Sequence, residues 1–419
     1  MNLLLKAATV IDPESPFHNQ TVDILIENGI ISDIDALIEA KDGFQEIKLD
    51  NLHISQGWFD SSVSFGEPGY EERETITHGL DVAAKSGFTG IALNPNTLPI
   101  TDTSASVGFL KSKSQNNAVS LYPIGSLTTE SKGLDMAELY DMQEAGAVAF
   151  GDYKKAIQNP NLLKIALLYA QNFDGLVLSF PQNNDIAGKG MVNEEEQSTL
   201  LGLKGIPALA EELQITRDLF LLEYTGGKLH IPTISTAKSV ALIKEAKAKG
   251  LQVSCSVSIH HLALTDNELT SFDANYKVLP PLRTQKDVDA LLKGIEDGTI
   301  DMVTSDHQPM DVEHKKVEFD NAKYGTIGLE STFGILNKIL GTEKSIALLT
   351  KGKSVFNIEN NIIDKGNKAE LSLFTPKGNS TFTEDNILST SKNSAFLGKS
   401  MTGNVYGVIS NGKMILKSL

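Results

Sequence analysis

The chain of 419 residues carries 53 Asp and Glu against 37 Lys and Arg, a net charge of −16 spread along its length. That balance excludes nucleic acid and anionic membrane as partners, since both require basic patches. A single cysteine, Cys255, excludes an internal disulfide or a cysteine zinc cluster; no apolar run approaches about 18 residues and Met-Asn-Leu-Leu-Leu-Lys is too short for a secretory leader, so the expected compartment is the cytoplasm.

Taken in order, residues 1–54 read as short strands: Asn2–Val10, Thr21–Glu27 with its Asn28-Gly29 turn, Ile30–Ile34 and Glu46–Leu52. From Trp58 the rhythm becomes strand, loop, helix. Apolar strand-like runs fall at Trp58–Ser64, Gly90–Leu93, Val119–Ile124, Ala147–Phe150, Leu176–Phe180, Lys228–Ile231, Leu251–Val257 and Met302–Ser305. Helical patterns separate them at Glu74–Ser86, Leu134–Ala145, Pro160–Asn172, Pro207–Thr225, Thr236–Ala248 and Thr284–Gly298. Eight short buried strands alternating with amphipathic helices predict a parallel sheet closed as a (β/α)8 barrel. Strand signals return at Glu370–Phe374, Gly403–Ser410 and Lys413–Leu416. The predicted organisation is therefore α/β, with a (β/α)8 TIM barrel over 55–355 and a small discontinuous β domain from 1–54 plus 356–419. The polar stretch 183–196 reads as a loop over the barrel mouth.

Active sites of such barrels lie at the C-terminal strand ends. At the first of these stands Asp60-Ser61-Ser62-Val63-Ser64-Phe65-Gly66-Glu67-Pro68-Gly69. Alternate side chains of a strand share a face, so Asp60, Ser62 and Ser64 point together. The stretch closely resembles the first strand of dihydroorotases and related cyclic amidohydrolases, which reads Asp-x-His-x-His-Phe-Arg-Glu-Pro-Gly. Asn94-Pro95-Asn96-Thr97, His260-His261-Leu262, Pro280-Pro281-Leu282-Arg283 and Thr304-Ser305-Asp306-His307 extend the resemblance over nearly the whole chain.

The resemblance implies two zinc ions held by four histidines and a bridging carboxylate, with a further aspartate as metal ligand and general base. Position by position, the four histidines are Ser62, Ser64, Phe180 and Thr233. The family's Asp-Asp pair is Asp152-Tyr153, and either residue fits the place of the bridge. Asp306, the implied catalytic base, is kept but idle without metal. Of the implied substrate contacts, Asn96 and His307 remain, whereas the carboxylate-binding arginine is Gly66 and two further contacts are Leu279 and Met310. Hydroxyls are poor zinc ligands, so zinc is expected to be absent and no other cofactor is implied. His260-His261 read as part of the frame, and His230 matches no ligand spacing. With the metals gone, Asp306 is expected to lack a cationic partner, so that Asp306→Asn leaves stability unchanged or improves it.

Three functions follow from the resemblance. The first is a catalytically degenerate dihydroorotase-like protein of pyrimidine biosynthesis, serving as a structural partner of aspartate carbamoyltransferase. The alternative is an active cyclic amidohydrolase that hydrolyses a C–N bond with an altered metal site. The third is a small-molecule-binding module that reuses the barrel mouth. The chain is also expected to form a homo-oligomer.

Overall fold

Eight short, largely buried strands make the inner wall of a barrel, as the apolar runs predict. They are β1 (Trp58–Val63), β2 (Phe88–Leu93), β3 (Ser120–Gly125), β4 (Ala149–Phe150), β5 (Leu176–Leu178), β6 (Lys228–Ile231), β7 (Val253–Ser258) and β8 (Met302–Thr304). The computed structural model describes residues 1–40 and 42–417. Neighbouring strands pair in parallel and in chain order from β1 to β8. Between β8 and β1 the backbone ladder thins to an isolated bridge, with the Ser64 N–H donating to the His307 carbonyl at 2.8 Å. Asp60 completes the closure: its carboxylate accepts from the Ser305 N–H at 2.9 Å and from the Thr304 hydroxyl. A buried carboxylate thus does across this seam what backbone pairing does elsewhere.

The helices Ile76–Lys85, Pro160–Ala170, Ala208–Thr225, Ala237–Ala248 and Gln285–Glu296 lie where the apolar periodicity places them. The helix expected over Leu134–Ala145 shrinks to Leu139–Glu144. Its first residues belong instead to a loop that Asp152 holds through Ser126 and Thr128. Helix Ser104–Lys113 was not apparent from the sequence, because it buries only Val107 and Leu110 among serines. Helices Leu329–Leu340 and Thr342–Thr350 also lie outside the expected set. The stretch 183–196 is not a plain loop: it holds the short helix Asn184–Ala187 and the strand Val192–Asn193, which pairs with Gly205–Ile206. The buried Arg283 guanidinium pins that pair by donating to Asn193 Oδ1 and the Ile206 carbonyl, both at 2.9 Å. Among the described residues no helix is long and apolar enough to cross a membrane.

Strands from both ends of the chain share a second sheet. His53–Gln56 runs parallel to the first strand, Asn2–Val10, and antiparallel to Leu371–Thr381, joining the N-terminal set to Ser400–Ser410 and Lys413–Leu416. This sheet has its own core around Leu5, Ile24, Leu371 and Leu373. Gly57 passes the chain directly from it into β1, so close to β2 that a Cβ there would lie 2.0 Å from Thr89 Oγ1. Trp58 follows, packed against Phe88, Phe333 and Phe374. Beneath the barrel, the buried Lys353 ammonium pairs with Glu370, which also accepts from Thr89 and Asn361.

The seam carries a direct test. Asp60→Ala leaves the buried Ser305 N–H and Thr304 hydroxyl without their acceptor. It is expected to lower unfolding free energy by about 2–4 kcal/mol in urea titration, and a loss below about 1 kcal/mol would show that the ring closes without it.

Candidate functional site

The C-terminal strand ends converge on a small polar floor. Asp306, two residues beyond β8, enters it with φ 47°, in the left-handed region that favours glycine. Its Oδ2 accepts from Lys154 Nζ at 2.8 Å and its Oδ1 from the Ser62 hydroxyl at 3.2 Å. Lys154 Nζ also donates to Gln308 Oε1 at 2.9 Å and lies 5.2 Å from the centre of the Tyr153 ring. The pair is buried, with the Lys154 side chain 10% exposed and that of Asp306 2%. Asp306 therefore does not lack a cation, contrary to expectation: the chain provides one. Lys154 went unnoticed because it sits in the loop after β4, 152 positions from its partner, and no spacing rule connects them. Burial pushes the Asp306 carboxyl above the ordinary aspartate range, while the Lys154 ammonium and the Ser62 hydroxyl pull it back down.

Ser62 and Ser64 act as hydrogen-bond links. Ser62 accepts from Asn94 Nδ2 at 3.1 Å while donating to Asp306, and Ser64 donates to Asn96 Oδ1 at 3.0 Å. The pairing of β1 with β2 is irregular between Asp60 and Val63, so Ser61 and Ser62 both line the floor and strict alternation fails. Of Asp152 and Tyr153, only Tyr153 faces the floor. Asp152 is turned to its loop, accepting from Ser126 Oγ at 2.7 Å, Thr128 N at 2.9 Å and Thr128 Oγ1 at 2.5 Å. Burial, and next the Asp306 carboxylate, hold the Tyr153 hydroxyl well above its usual pKa. Phe180 and Thr233 also line the floor, Phe180 within an apolar cluster containing Ile206 and Leu279. The remaining cavity is about 20 Å³, room for roughly one water.

The histidines divide. His230, set aside in the sequence, lies on this floor, with Nδ1 2.9 Å from Ser254 Oγ and Nε2 3.2 Å from Ser256 Oγ. His261 latches the Pro280-Pro281 turn, its Nε2 3.1 Å from the Pro280 carbonyl and its Nδ1 2.5 Å from Ser258 Oγ. His260 is fully buried with both ring nitrogens unpartnered. His307, expected among substrate contacts, is brought to neither the floor nor the mouth. Its Nδ1 accepts from the Gly328 N–H at 3.2 Å at the start of helix Leu329–Leu340, and its ring stands edge-on to Phe65. That places it in the frame.

Above the floor opens a cleft of about 400 Å³. Asn96 lines it, as do Leu279 and Met310, which supply apolar surface where the resemblance implies substrate contacts. Four cations, Arg73, Lys154, Lys155 and Lys323, border it against one acid, Asp152. Gly66 is closed to any side chain: a Cβ there would lie 1.7 Å from the Tyr70 carbonyl oxygen.

Zinc takes imidazole, thiolate or carboxylate donors, three of them from protein at a catalytic site. This floor offers one carboxylate, already engaged by an ammonium, and one imidazole, His230, whose two ring nitrogens meet Ser254 and Ser256, among hydroxyls and a phenyl ring. Among the described residues no group of three or more His, Cys, Asp or Glu is placed to hold a metal ion. The donor set does not fit a zinc pair.

Two expectations follow. Lys154→Met strands a buried carboxylate and should cost about 3 kcal/mol of stability. Asp306→Asn should cost less, about 1–2 kcal/mol, because the freed ammonium can turn into the cleft that it lines; equal losses in urea titration would contradict this. Burial also lowers His230 to about 4 and His261 to about 3. A histidine depressed in the folded state contributes stability above its unfolded value of about 6.5, and that contribution is lost as pH falls. Unfolding free energy should therefore decline from about pH 7 to pH 5, and a flat profile there would show the imidazoles to be more solvated than their burial indicates.

Comparison with known proteins agrees with this architecture. Residues 53–239 match a family model described as dihydro-orotase-like. The dihydroorotase of Pelotomaculum thermopropionicum is 37% identical over 424 residues, covering 100% of this chain and 99% of that protein. That of Geobacter metallireducens is 35% identical over 427 residues and covers both fully, 100% each. Among solved structures, the L-hydantoinase (dihydropyrimidinase) of Arthrobacter aurescens superposes with a TM-score of 0.86 at 21% identity, covering 99% of this chain and 96% of that one. The dihydropyrimidinase of Brevibacillus agri gives 0.81 at 19% identity, covering 100% and 95%; at such identities these two speak to the fold alone. End-to-end similarity above one third identity, on an amidohydrolase-type barrel, places the chain in the dihydroorotase family.

Proposed function

We propose that this member of the family is catalytically degenerate and serves as a structural partner of aspartate carbamoyltransferase in pyrimidine biosynthesis. The observation that carries the reading is the Lys154–Asp306 ion pair. It puts an ammonium on the one plainly kept member of the family's ligand set, so the aspartate is neither free for a metal nor a base of ordinary strength. Phe180 fills the place of a donor, and Gly66 leaves no room for the arginine that grips a carboxylate in active relatives. An altered metal site would need three donors around a floor that has room for about one water. What supports the structural role is the combination of an intact barrel with a disabled floor, the condition of family members that act as non-catalytic partners of the transcarbamoylase.

A second reading rests on the mouth. In a chain of net charge −16 the cleft is a local exception: Lys154 and Arg73 are paired with Asp306 and Asp311, which leaves Lys155 and Lys323 to hold a small organic anion without turning it over. Calorimetric titration with dihydroorotate separates the two: saturable heat without turnover supports the binder.

For the main reading, the purified protein is expected to contain less than about 0.1 zinc per chain by elemental analysis, to leave dihydroorotate unhydrolysed, and to co-sediment with the transcarbamoylase from the same source. Ser62→His with Ser64→His should not create turnover, since Phe180, Thr233 and Lys154 still occupy the floor. Zinc-dependent hydrolysis by that double variant would sink the degenerate reading, and independent sedimentation of the two proteins would sink the partnership.

A further inference from the structure

The Lys154–Asp306 pair does more than neutralise the floor: it fixes which way the polar groups above it point. An ammonium has no acceptor and a carboxylate no proton to give. Lys154 Nζ therefore meets Gln308 through its Oε1, at 2.9 Å, and the Gln308 NH2 is left over. On the other side Ser62 gives its one proton to Asp306, so from Asn94 it can only accept. The same Asn94 NH2 reaches Ser64 at 3.4 Å, and the Ser64 proton passes on to Asn96 Oδ1. Asn96 too is left with its NH2. Gln308, only 8% exposed, and Asn96 both line the cleft of about 400 Å³, and among the described residues neither NH2 meets an acceptor.

At the rim the same bias holds. Lys155 and Lys323 enter no ion pair among the described residues, and the one acid on the wall, Asp152, spends its oxygens on Ser126 and Thr128. The side chains thus offer amide and ammonium protons, and no free carboxylate to receive one. A ring N–H brought here loses its water and gains no side-chain acceptor, which is costly. A cyclic amide such as dihydroorotate carries ring N–H groups beside its carboxylate. A phosphate monoester carries none. At neutral pH it bears a charge of about −1.5 to −2 on oxygens that accept, which suits two ammonium groups acting as point charges. Leu279, Met310 and Tyr324 supply apolar wall for its organic part. On the reading of the mouth as a binder of small organic anions, we infer that the cleft selects phosphate monoesters over cyclic amides, because the buried ion pair turns Asn96 and Gln308 donor-outward.

Calorimetric titration of the full-length protein at low salt tests this with three probes: phenyl phosphate, phthalate as an aromatic dicarboxylate, and dihydroorotate. Near neutral pH, phenyl phosphate should bind about tenfold more tightly than either of the others. Its affinity should fall as pH drops through about 6, where the phosphate gains a proton and the new O–H meets the same lack of acceptors. Lys155→Ala and Lys323→Ala, both at exposed positions, should each weaken phenyl phosphate about fivefold with urea midpoints unchanged. Ser64→Ala frees Asn96 to turn its oxygen outward without altering any charge, and should cut the preference over dihydroorotate by about threefold or more. No saturable heat with any probe would remove the anion site, and the binding reading with it. Dihydroorotate or phthalate binding as tightly as phenyl phosphate would leave a binding site but overturn its selectivity. A phenyl phosphate affinity indifferent to both lysine substitutions would put the anion elsewhere and overturn the inference as well.

Discussion

The contact on which this site depends is the bond from the Lys154 ammonium to the Asp306 carboxylate. A buried carboxylate needs a compensating charge, and leaving it alone costs several kcal/mol. An aspartate at the end of β8 therefore obliges its surroundings to supply something positive. Here the loop after β4 supplies it, and the neighbours arrange around the pair. Ser62 donates to one carboxylate oxygen, Gln308 Oε1 accepts a second hydrogen bond from the ammonium, and Tyr153 lays its ring beside it. Electrostatically this is a closed circuit. The floor's charge is thereby balanced, and its remaining space is about that of one water.

The backbone at the strand ends tells a complementary story. Tyr153, Thr233 and Asp306, beyond β4, β6 and β8, all hold positive φ, at 57°, 51° and 47°. Each such conformation costs on the order of 1–3 kcal/mol for a residue with a Cβ, and a branched threonine is an uncommon tenant. Strain of this kind gathers where side chains are aimed into a site. Here Tyr153 and Thr233 bring a phenol and an aliphatic alcohol to the floor, and Asp306 a carboxylate.

The same separation of frame from chemistry runs through the family motifs. Arg283 knits the mouth segments together from a fully buried position, and His261 latches the turn before it. His307, beside the key aspartate in sequence, serves a helix N-terminus instead. Adjacent residues at a strand end point in different directions, so motif proximity does not assign role. The outer surface shows another departure from the ordinary, since helix Ala208–Thr225 buries Glu211 and Asp218 beside Ile215, Leu219 and Leu222 while Leu209, Leu213, Phe220 and Tyr224 stay exposed. Glu211 accepts from Ser235, Thr236 and Ser239, which accounts for its burial.

The sequence by itself determined the barrel, because eight short apolar runs alternating with amphipathic helices admit few other solutions. It also showed that Ser62, Ser64, Phe180 and Thr233 carry no imidazole, thiolate or carboxylate, since that is a property of the side chains and needs no coordinates. The helix Ser104–Lys113 stayed hidden because two buried residues make no readable period. Only the tertiary structure decided that Lys154 neutralises Asp306, that Asp152 turns to its loop while Tyr153 faces the floor, and that His230 joins the site while His307 leaves it. Each of those outcomes depends on the direction of a side chain at a turn and on a partner far away in the chain. Local pattern records neither, because hydrophobic periodicity reports which face is buried, not which buried polar atoms meet.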